Sequence, residues 1–410
     1  MNQYRCLMCQ SLIASSEVSA HKKTFHSDYP GYGMMWPSFI GELQPRRLAK
    51  IEIHESKTLA KILGVSKVMI RDEGQNLSGS MKDYSTERAV SLAKQSGHEK
   101  VTVVSCGNHA FSLAKYASLE GMNAIVFTPA SSSKIPLLSM IEGVTVVAVR
   151  GAIFEDVYRL AADIDLPGVY NANVSNEDLL FGFSPVVQDV LSANIQPDYI
   201  LSGVGNGSYL AGIALAYQQV GIDLPKIMPV GMDGAFPAMF AFFMGKMVYE
   251  HDDFLRHESL IDAAEGSIAI ASYSMPQLIH AVKISLGKPL GGLLNDDLAT
   301  AYHLLFTDHD LVDQGVIPEP TGIMGLASAI RYKRLFKKTD CLLISFTGNG
   351  IKDMEGIRRL VPDLADRFEE KLRQSRPDLL LQNVGGKPGK VIYITKETST
   401  EELKNVLEGG

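Results

Sequence analysis

The chain has 410 residues, of which 46% are hydrophobic and 21% are charged, and its formal net charge is −7. This acidic net charge gives no indication of the basic face that nucleic-acid binding requires. The sequence contains no run of eighteen apolar residues, so no membrane span is predicted. The first residues lack the apolar core of a secretory signal, and four cysteines do not predict a secreted disulfide scaffold. We therefore expect a cytoplasmic protein with room for two or three domains.

Two cysteines and two histidines near the amino terminus have the spacing of a metal site. Cys6, Cys9, His21 and His26 form a C-x2-C-x11-H-x4-H pattern, and two thiolates with two imidazoles can complete a tetrahedral zinc site. The pattern resembles a C2H2 zinc finger whose central spacer is one residue short. The alternative is a reduced thiol pair beside two surface histidines. We predict a zinc-binding segment over residues 1–27, too small to fold without metal, with a docking role rather than DNA binding.

Apolar, β-branched runs alternate with helical stretches from about residue 42 onward. Such runs are typical of buried strands, and each is followed by a helix-forming stretch. Repeated strand–helix units predict an α/β fold with a mostly parallel sheet and helices on both faces. The predicted strands are Val68–Arg71, Lys100–Val104, Ala124–Phe127, Val144–Val149, Tyr199–Leu201, Ile268–Ile270 and Cys341–Phe346.

Four loops that follow strands carry small and polar residues. Ligands of parallel sheets sit beyond the carboxyl ends of the strands, so these loops are candidate site segments. Each loop alone is weak evidence, because most lysines in such loops are solvated and glycine-rich turns are common. The third loop can point several N–H groups at a phosphate, but it matches neither the dinucleotide fingerprint nor the Walker motif. The loops are Ser78–Asp83, Ser105–His109, Ser202–Ser208 and Thr347–Asp353.

The order of these loops resembles the fold type II family of enzymes that use pyridoxal 5′-phosphate. The matching stretches read S-G-S-M-K-D, S-C-G-N-H-A, G-V-G-N-G-S and T-G-N-G-I-K-D, and Glu319-Pro320-Thr321-Gly322 also fits. The last of the four resembles threonine synthase and its relative cysteate synthase. An N-terminal zinc-ribbon-like segment also occurs in that subgroup, generally with cysteines as ligands. The S-C-G-N-H-A stretch, in contrast, is similar to threonine dehydratases and serine racemase.

The resemblance implies two doubly wound α/β domains with mostly parallel sheets. The large cofactor-binding domain is expected to comprise residues 28–98 and 187–366, and the small domain residues 99–186. Residues 367–410 form a C-terminal appendage. The resemblance also implies a homodimer that acts on a small amino-acid substrate.

Each loop acquires a role from the resemblance. Lys82 is expected to form the Schiff base with the cofactor aldehyde and then to shuttle protons at the substrate α-carbon, which suits an amine whose pKa falls in a desolvated pocket. Thr347 offers a hydroxyl to the pyridine nitrogen, and a neutral partner favours elimination and replacement over transamination. Asn108 bonds the ring hydroxyl oxygen, while Ser105 and Gly107 shape the loop that meets the substrate carboxylate. The residues expected to hold the cofactor phosphate are Gly203, Val204, Gly205, Asn206 and Gly207.

Several positions depart from the pattern and leave the reaction open. Met81 stands where an aromatic residue is usual, Tyr84 where threonine synthases tend to have Arg, and Tyr209 where they usually have Gly. His109 could assist a leaving group, or it could be a helix-start histidine bonded to the backbone. The leading hypothesis is threonine synthase-like elimination or replacement on an amino acid that carries a phosphate. The alternatives are a dehydratase or ammonia-lyase, and a non-catalytic cofactor-binding protein.

The chain changes character after about Arg367. We predict a charged helix over Phe368–Arg376, a flexible link at Gly385–Gly389 and a single strand at Val391–Thr395. Ser399 and Glu402 have the spacing of a capping box before a short final helix. The appendage is too small to fold alone, so we expect it to dock on the body or on a partner subunit.

Overall fold

The computed structural model describes residues 3–29, 31–38, 48–132, 134–161, 164, 166–249, 264–267, 272–380 and 389–408. The strand predicted at Ile268–Ile270 and residues 385–388 of the predicted link lie outside these ranges. The strands are β1 (Gln3–Cys6), β2 (Leu12–Ala14), β3 (Met35–Pro37), β4 (Ile53–Glu55), β5 (Lys67–Asp72), β6 (Lys100–Val104), β7 (Asn123–Pro129), β8 (Val144–Arg150), β9 (Val169–Asn171), β10 (Tyr199–Gly203), β11 (Lys226–Met232), β12 (Leu290–Leu293), β13 (Cys341–Phe346) and β14 (Lys390–Thr395).

The helices of the described ranges mostly follow strands, as the sequence predicts. They are α1 (Val18–Phe25), α2 (Lys57–Leu63), α3 (Lys82–Gln95), α4 (Asn108–Leu119), α5 (Ile135–Leu138), α6 (Phe154–Ala161), α7 (Ser184–Ser192), α8 (Ser208–Val220), α9 (Pro237–Phe243), α10 (Met275–Ile284), α11 (Asn295–Phe306), α12 (His309–Asp313), α13 (Pro320–Arg331), α14 (Met354–Leu360), α15 (Ala365–Ser375), α16 (Pro377–Leu380) and α17 (Thr400–Glu408). None of them is both long enough and apolar enough to cross a bilayer.

The larger sheet has six strands in the order β12-β11-β10-β13-β5-β4. Its neighbouring strands run parallel, apart from the edge strand β4, which is antiparallel to β5. Alternate residues of β13 enter two apolar layers: Leu342 and Ile344 pack with α11 and α13, whereas Leu343 packs with α8 and α10. A strand buried on both faces is typical of a parallel sheet covered by helices.

The second sheet has five parallel strands in the order β14-β8-β7-β6-β9. One face packs on α3 and α4, and the other packs on α6 and on residues of the N-terminal segment, including Tyr4 and Tyr32. The predicted α/β fold with mostly parallel sheets is therefore confirmed. Domain boundaries stay predictions, although the strands of each sheet come from the chain segments assigned to the two domains, apart from β14.

The two ends of the chain extend this framework. At the amino end, β1 pairs with β2 and with β3, so the three-stranded sheet continues past residue 27 to Pro37. At the carboxyl end, β14 adds an edge strand beside β8, which confirms that the appendage docks on the body. The predicted capping box is present: Glu402 N–H donates to Ser399 Oγ at 3.2 Å, and Ser399 N–H donates to a Glu402 carboxylate oxygen at 2.8 Å.

Candidate active site

Lys82 is the first residue of α3, at the end of a tightly tied loop. Gly79 has a φ of +72°, a conformation that L side chains rarely adopt, and it turns the loop before the helix. Asp83 is fully buried and accepts hydrogen bonds from Ser78 N–H at 2.8 Å and from Ser112 Oγ at 2.6 Å. Met81 N–H donates to the Thr347 carbonyl at 3.0 Å. The lysine is thus fixed beside the loop that follows β13.

The Lys82 amine lies in an environment that disfavours its charge. Burial lowers its pKa to about 8, and the negative charge of Glu319 opposes that shift. A lysine in this range is partly neutral near physiological pH, as a nucleophile and a general base must be. Glu319 is the residue immediately before α13, and the Asn108 amide donates to both of its carboxylate oxygens, at 2.9 and 3.2 Å.

The loop after β10 is shaped for an anion. A Cβ on Gly203 would lie 2.5 Å from the Thr321 carbonyl oxygen, and a Cβ on Gly205 would lie 2.7 Å from that of Gly266, so both positions require glycine. Gly207 has a φ of +96° and precedes α8. Among the described residues, the N–H groups of Gly205, Asn206 and Gly207 have no hydrogen-bond acceptor. Amides left open beside the N-terminus of a thirteen-residue helix fit a phosphate group.

The loop after β6 places the start of α4 opposite these segments. Ser105 Oγ accepts hydrogen bonds from the N–H groups of Gly107, at 3.3 Å, and Ala110, at 3.2 Å. His109 is buried, and its Nε2 lies 2.9 Å from the Ala172 carbonyl oxygen, to which it can only donate. Burial and then the nearby Lys82 charge lower the pKa of His109 to about 4. His109 is therefore a neutral histidine bonded to the backbone, as the second of the two predicted readings requires.

These loops meet at one cavity of about 270 Å³. Every residue that the sequence nominated for the cofactor or the substrate lines it. Three more residues line the cavity that were given no site role from the sequence: Glu155, Tyr209 and Glu319. The signal for Glu319 was its place before a Pro-Thr-Gly helix start, whereas nothing local marked Glu155. The nominated residues that share the cavity are Lys82, Ser105, Gly107, Asn108, His109, Gly203, Val204, Gly205, Asn206, Gly207 and Thr347.

The four predicted metal ligands also come together, at a separate place near the amino terminus. The ligand atoms of Cys6, Cys9, His21 and His26 all lie within 4.8 Å of one another. Cys6 Sγ is 3.3 Å from His26 Nε2, and Cys9 Sγ is 3.5 Å from His21 Nε2. A tetrahedral zinc with ordinary bond lengths separates sulfur and nitrogen ligands by about 3.6 Å. The donor set and its spacing therefore fit zinc.

The chain turns back on itself directly after the second cysteine. Gln10 N–H donates to the Cys6 carbonyl at 2.8 Å and Cys6 N–H donates to the Ser11 carbonyl at 2.9 Å, so the chain folds back on itself. Gln10 has a φ of +64°, which is strained for a residue with a side chain.

Comparison with known proteins agrees with the cofactor site. The model of the family described as pyridoxal-phosphate dependent enzyme matches residues 47–348. The chain is 25% identical over 343 residues to threonine synthase of Methanocaldococcus jannaschii, covering 78% of this chain and 77% of that protein. It is 27% identical over 312 residues to threonine synthase of a Bacillus species, covering 72% and 81% respectively.

Two solved structures have a similar fold at low sequence identity. Threonine deaminase isoform 2 from Solanum lycopersicum superposes with a TM-score of 0.63 at 17% identity, covering 77% of this chain and 88% of that one. L-serine ammonia-lyase from Rhizomucor miehei gives 0.62 at 17% identity, covering 77% and 98%. The residues matched by the family model, 47–348, include the Lys82 and Gly203–Gly207 loops that line the cavity. The chain therefore belongs to the family of pyridoxal-phosphate dependent enzymes.

Proposed function

We propose that this lyase catalyses elimination or replacement on an amino acid with a good leaving group, with threonine synthase-like chemistry as the first candidate. The observation that carries the proposal is that the Lys82 amine and the open amides of Gly205–Gly207 line the same cavity. Pyridoxal phosphate, when bound, withdraws electrons from the substrate α-carbon, so that a leaving group further along the side chain can depart.

Each lining residue then has a physical task. Lys82 holds the cofactor through its amine and, when substrate has taken that place, removes and returns the proton at the substrate α-carbon. The open amides of Gly205, Asn206 and Gly207 would hold the phosphate, whereas the predicted Val204 amide is already bonded to the Val230 carbonyl at 2.9 Å and cannot. The Thr347 hydroxyl would offer a hydrogen bond to the pyridine nitrogen. The Asn108 amide nitrogen donates to Glu319, and we assign the Asn108 side chain to the ring hydroxyl of the cofactor.

The substrate carboxylate is assigned to the start of α4. Ser105 Oγ accepts hydrogen bonds from the N–H groups of Gly107 and Ala110. We therefore expect the backbone at Gly107, rather than this hydroxyl, to contact the carboxylate. His109 cannot protonate a leaving group while its pKa is near 4, because the ring is neutral and its Nε2 proton is committed to Ala172. A proton for the leaving group must therefore come from a group other than His109, and Lys82 is our candidate.

One observation favours the dehydratase or ammonia-lyase alternative. Within the described lining of the cavity, Lys82 is the sole lysine or arginine, and Glu155 and Glu319 are both present. A second phosphate, on the substrate, is normally held by arginine or lysine. A hydroxyl-bearing substrate such as serine or threonine needs no such cation, so both substrate classes belong in the assay.

A substrate screen in which the products are identified decides among these candidate functions. The enzyme is incubated with O-phosphohomoserine, threonine or serine, and phosphate, 2-oxo acid and ammonia are measured. Threonine synthase-like chemistry releases phosphate and forms threonine, whereas dehydratase chemistry releases 2-oxo acid with ammonia. Lys82→Ala is the control and must abolish either activity. If no amino acid alters the visible spectrum of the bound cofactor, the non-catalytic alternative replaces the proposal.

We further propose that the Cys6, Cys9, His21 and His26 cluster binds a structural zinc ion. The support is that the four ligand atoms lie within 4.8 Å of one another, with the two sulfur–nitrogen pairs at 3.3 and 3.5 Å. Elemental analysis of protein purified without chelator is expected to give about one zinc per chain. Less than about half an equivalent contradicts the assignment.

A further inference from the structure

A buried cluster of charged and phenolic side chains joins the segments that carry Lys82 and the phosphate loop. We call it the Glu73 cluster; its members are Arg71, Glu73, Tyr84, Asp189 and Tyr209, all buried. Glu73 accepts hydrogen bonds from Arg71 Nε at 2.7 Å, from Tyr84 OH at 2.7 Å and from Tyr209 OH at 2.6 Å. Arg71 also donates to Asp189 at 2.9 Å and to Tyr84 OH at 2.6 Å.

The two phenols of the cluster lie at the starts of two different helices. Tyr84 lies two residues after Lys82, in the first turn of α3, and Tyr209 lies two residues after Gly207, in the first turn of α8. Glu73 follows β5 and belongs to neither helix. One carboxylate therefore ties the start of the helix that carries the amine to the start of the helix that follows the phosphate loop.

The cluster is built to be rigid. Hydrogen bonds to an ionised acceptor in a water-free environment are short and strong, and removing one donor leaves the buried carboxylate under-satisfied. Burial and then the Glu73 charge raise the pKa of Tyr209 well above its ordinary value, so this phenol stays protonated and remains a donor. Both tyrosines donate to the same residue, Glu73.

We propose that Glu73, through Tyr84 and Tyr209, sets the separation between the Lys82 amine and the phosphate loop, so that one cofactor reaches both. These are positioning residues, because they act through Lys82 and the loop. The inference rests on the proposed function. A positioning role can be told from a merely stabilising one. A change in that separation weakens the binding of a ligand that carries a phosphate more than the binding of the same ligand without it.

The test compares pyridoxal 5′-phosphate with pyridoxal as probes of the apo-enzyme. Dissociation constants are measured by absorbance titration for the wild type, Tyr84→Phe, Tyr209→Phe and the double variant, each of which removes hydroxyl groups without changing side-chain shape. Tyr217→Phe is the matched control. It lies on the same helix α8, and its hydroxyl is buried with no hydrogen-bond partner in the described chain. Thermal midpoints of the apo-proteins report stability separately.

The expected result is selective for the phosphate-bearing probe. Each cluster variant weakens pyridoxal phosphate binding about tenfold, the size of one lost charge-assisted hydrogen bond, and leaves pyridoxal binding within about twofold. The double variant is no worse than about the worse single variant, because the tie is already broken, and Tyr217→Phe changes neither constant.

Three results overturn the inference. Equal weakening of both probes means that the cluster only stabilises the fold, and unchanged constants in folded variants mean that it does not position the loops. If the wild type takes up neither probe, the proposed function fails, and this inference fails with it. The first two results leave the proposed function intact, so the two failures are distinguishable.

Discussion

Replacing Glu319 by glutamine should make Lys82 a faster nucleophile at neutral pH. Burial lowers the pKa of Lys82 to about 8, and the Glu319 carboxylate is the charge that opposes this shift. Removing the negative charge therefore lets the pKa fall further, since nothing then favours the protonated amine. Only the neutral amine can attack the cofactor aldehyde, so the pH profile of cofactor uptake reports this pKa.

The size of the effect follows from the charge that is lost. A nearby opposite charge shifts a pKa by about 1–3 units, and we take the lower figure because Asn108 already donates to both Glu319 oxygens. At pH 7, a pKa of about 8 leaves about one-tenth of Lys82 neutral, and a pKa of about 7 leaves about half neutral. Glu319→Gln should thus speed cofactor uptake at pH 7 about fivefold and move the midpoint of the profile down by about one unit.

The assay is stopped-flow absorbance after pyridoxal phosphate is mixed with apo-enzyme across pH 6 to 10. Glu155→Gln is the control, because Glu155 lines the same cavity and loses the same charge but is not among the causes of the Lys82 shift. Its midpoint should match the wild type. If Glu319→Gln raises the midpoint or leaves it unmoved, or if both variants shift it equally, the Glu319 carboxylate does not set the pKa of Lys82.

Three further predictions concern other parts of the molecule. Cys9→Ser should remove the proposed zinc and lower the thermal midpoint, as followed by elemental analysis and calorimetry; a zinc content equal to that of the wild type would contradict the assigned ligand set. Gly205→Ala places a Cβ 2.7 Å from the Gly266 carbonyl oxygen and should weaken pyridoxal phosphate binding at least about tenfold; unchanged binding in titration would show that the loop after β10 does not hold the phosphate. Leu403 is fully buried against the five-stranded sheet, so Leu403→Ala should lower the free energy of unfolding by about 3 kcal/mol and speed hydrogen exchange at β14. Unaltered exchange would show that α17 does not hold the strand.

The strand-end loops could be located from sequence because their signals are local. β-branched runs such as Lys100–Val104 mark buried strands, and a run of Gly and small residues after a strand marks a turn into a helix. Parallel strands then bring the loops to one edge whatever their distance along the chain, which is why Lys82 and Gly205 share a cavity.

Features that depend on tertiary pairing were not predictable in the same way. Nothing near Glu73 indicates that it bonds Tyr84 and Tyr209, because these contacts exist only once β5, α3 and α8 have packed. Likewise, the Val391–Thr395 run predicts a strand but not its neighbour, since any open sheet edge offers the same backbone groups.

The contact of Asn108 with Glu319 belongs to the same class. The two residues are 211 positions apart, so only the folded chain reveals that the Glu319 carboxylate bonds the Asn108 amide and opposes the fall in the pKa of Lys82.

We propose above that the Lys82 amine and the Gly205–Gly207 amides hold one cofactor. The most direct measurement is borohydride reduction of the purified enzyme after pyridoxal phosphate is added, followed by peptide mapping with mass spectrometry. We predict a phosphopyridoxyl adduct on the peptide that contains Lys82, and its loss in Lys82→Ala. An adduct on another lysine in the wild type, or none at all, would contradict the claim.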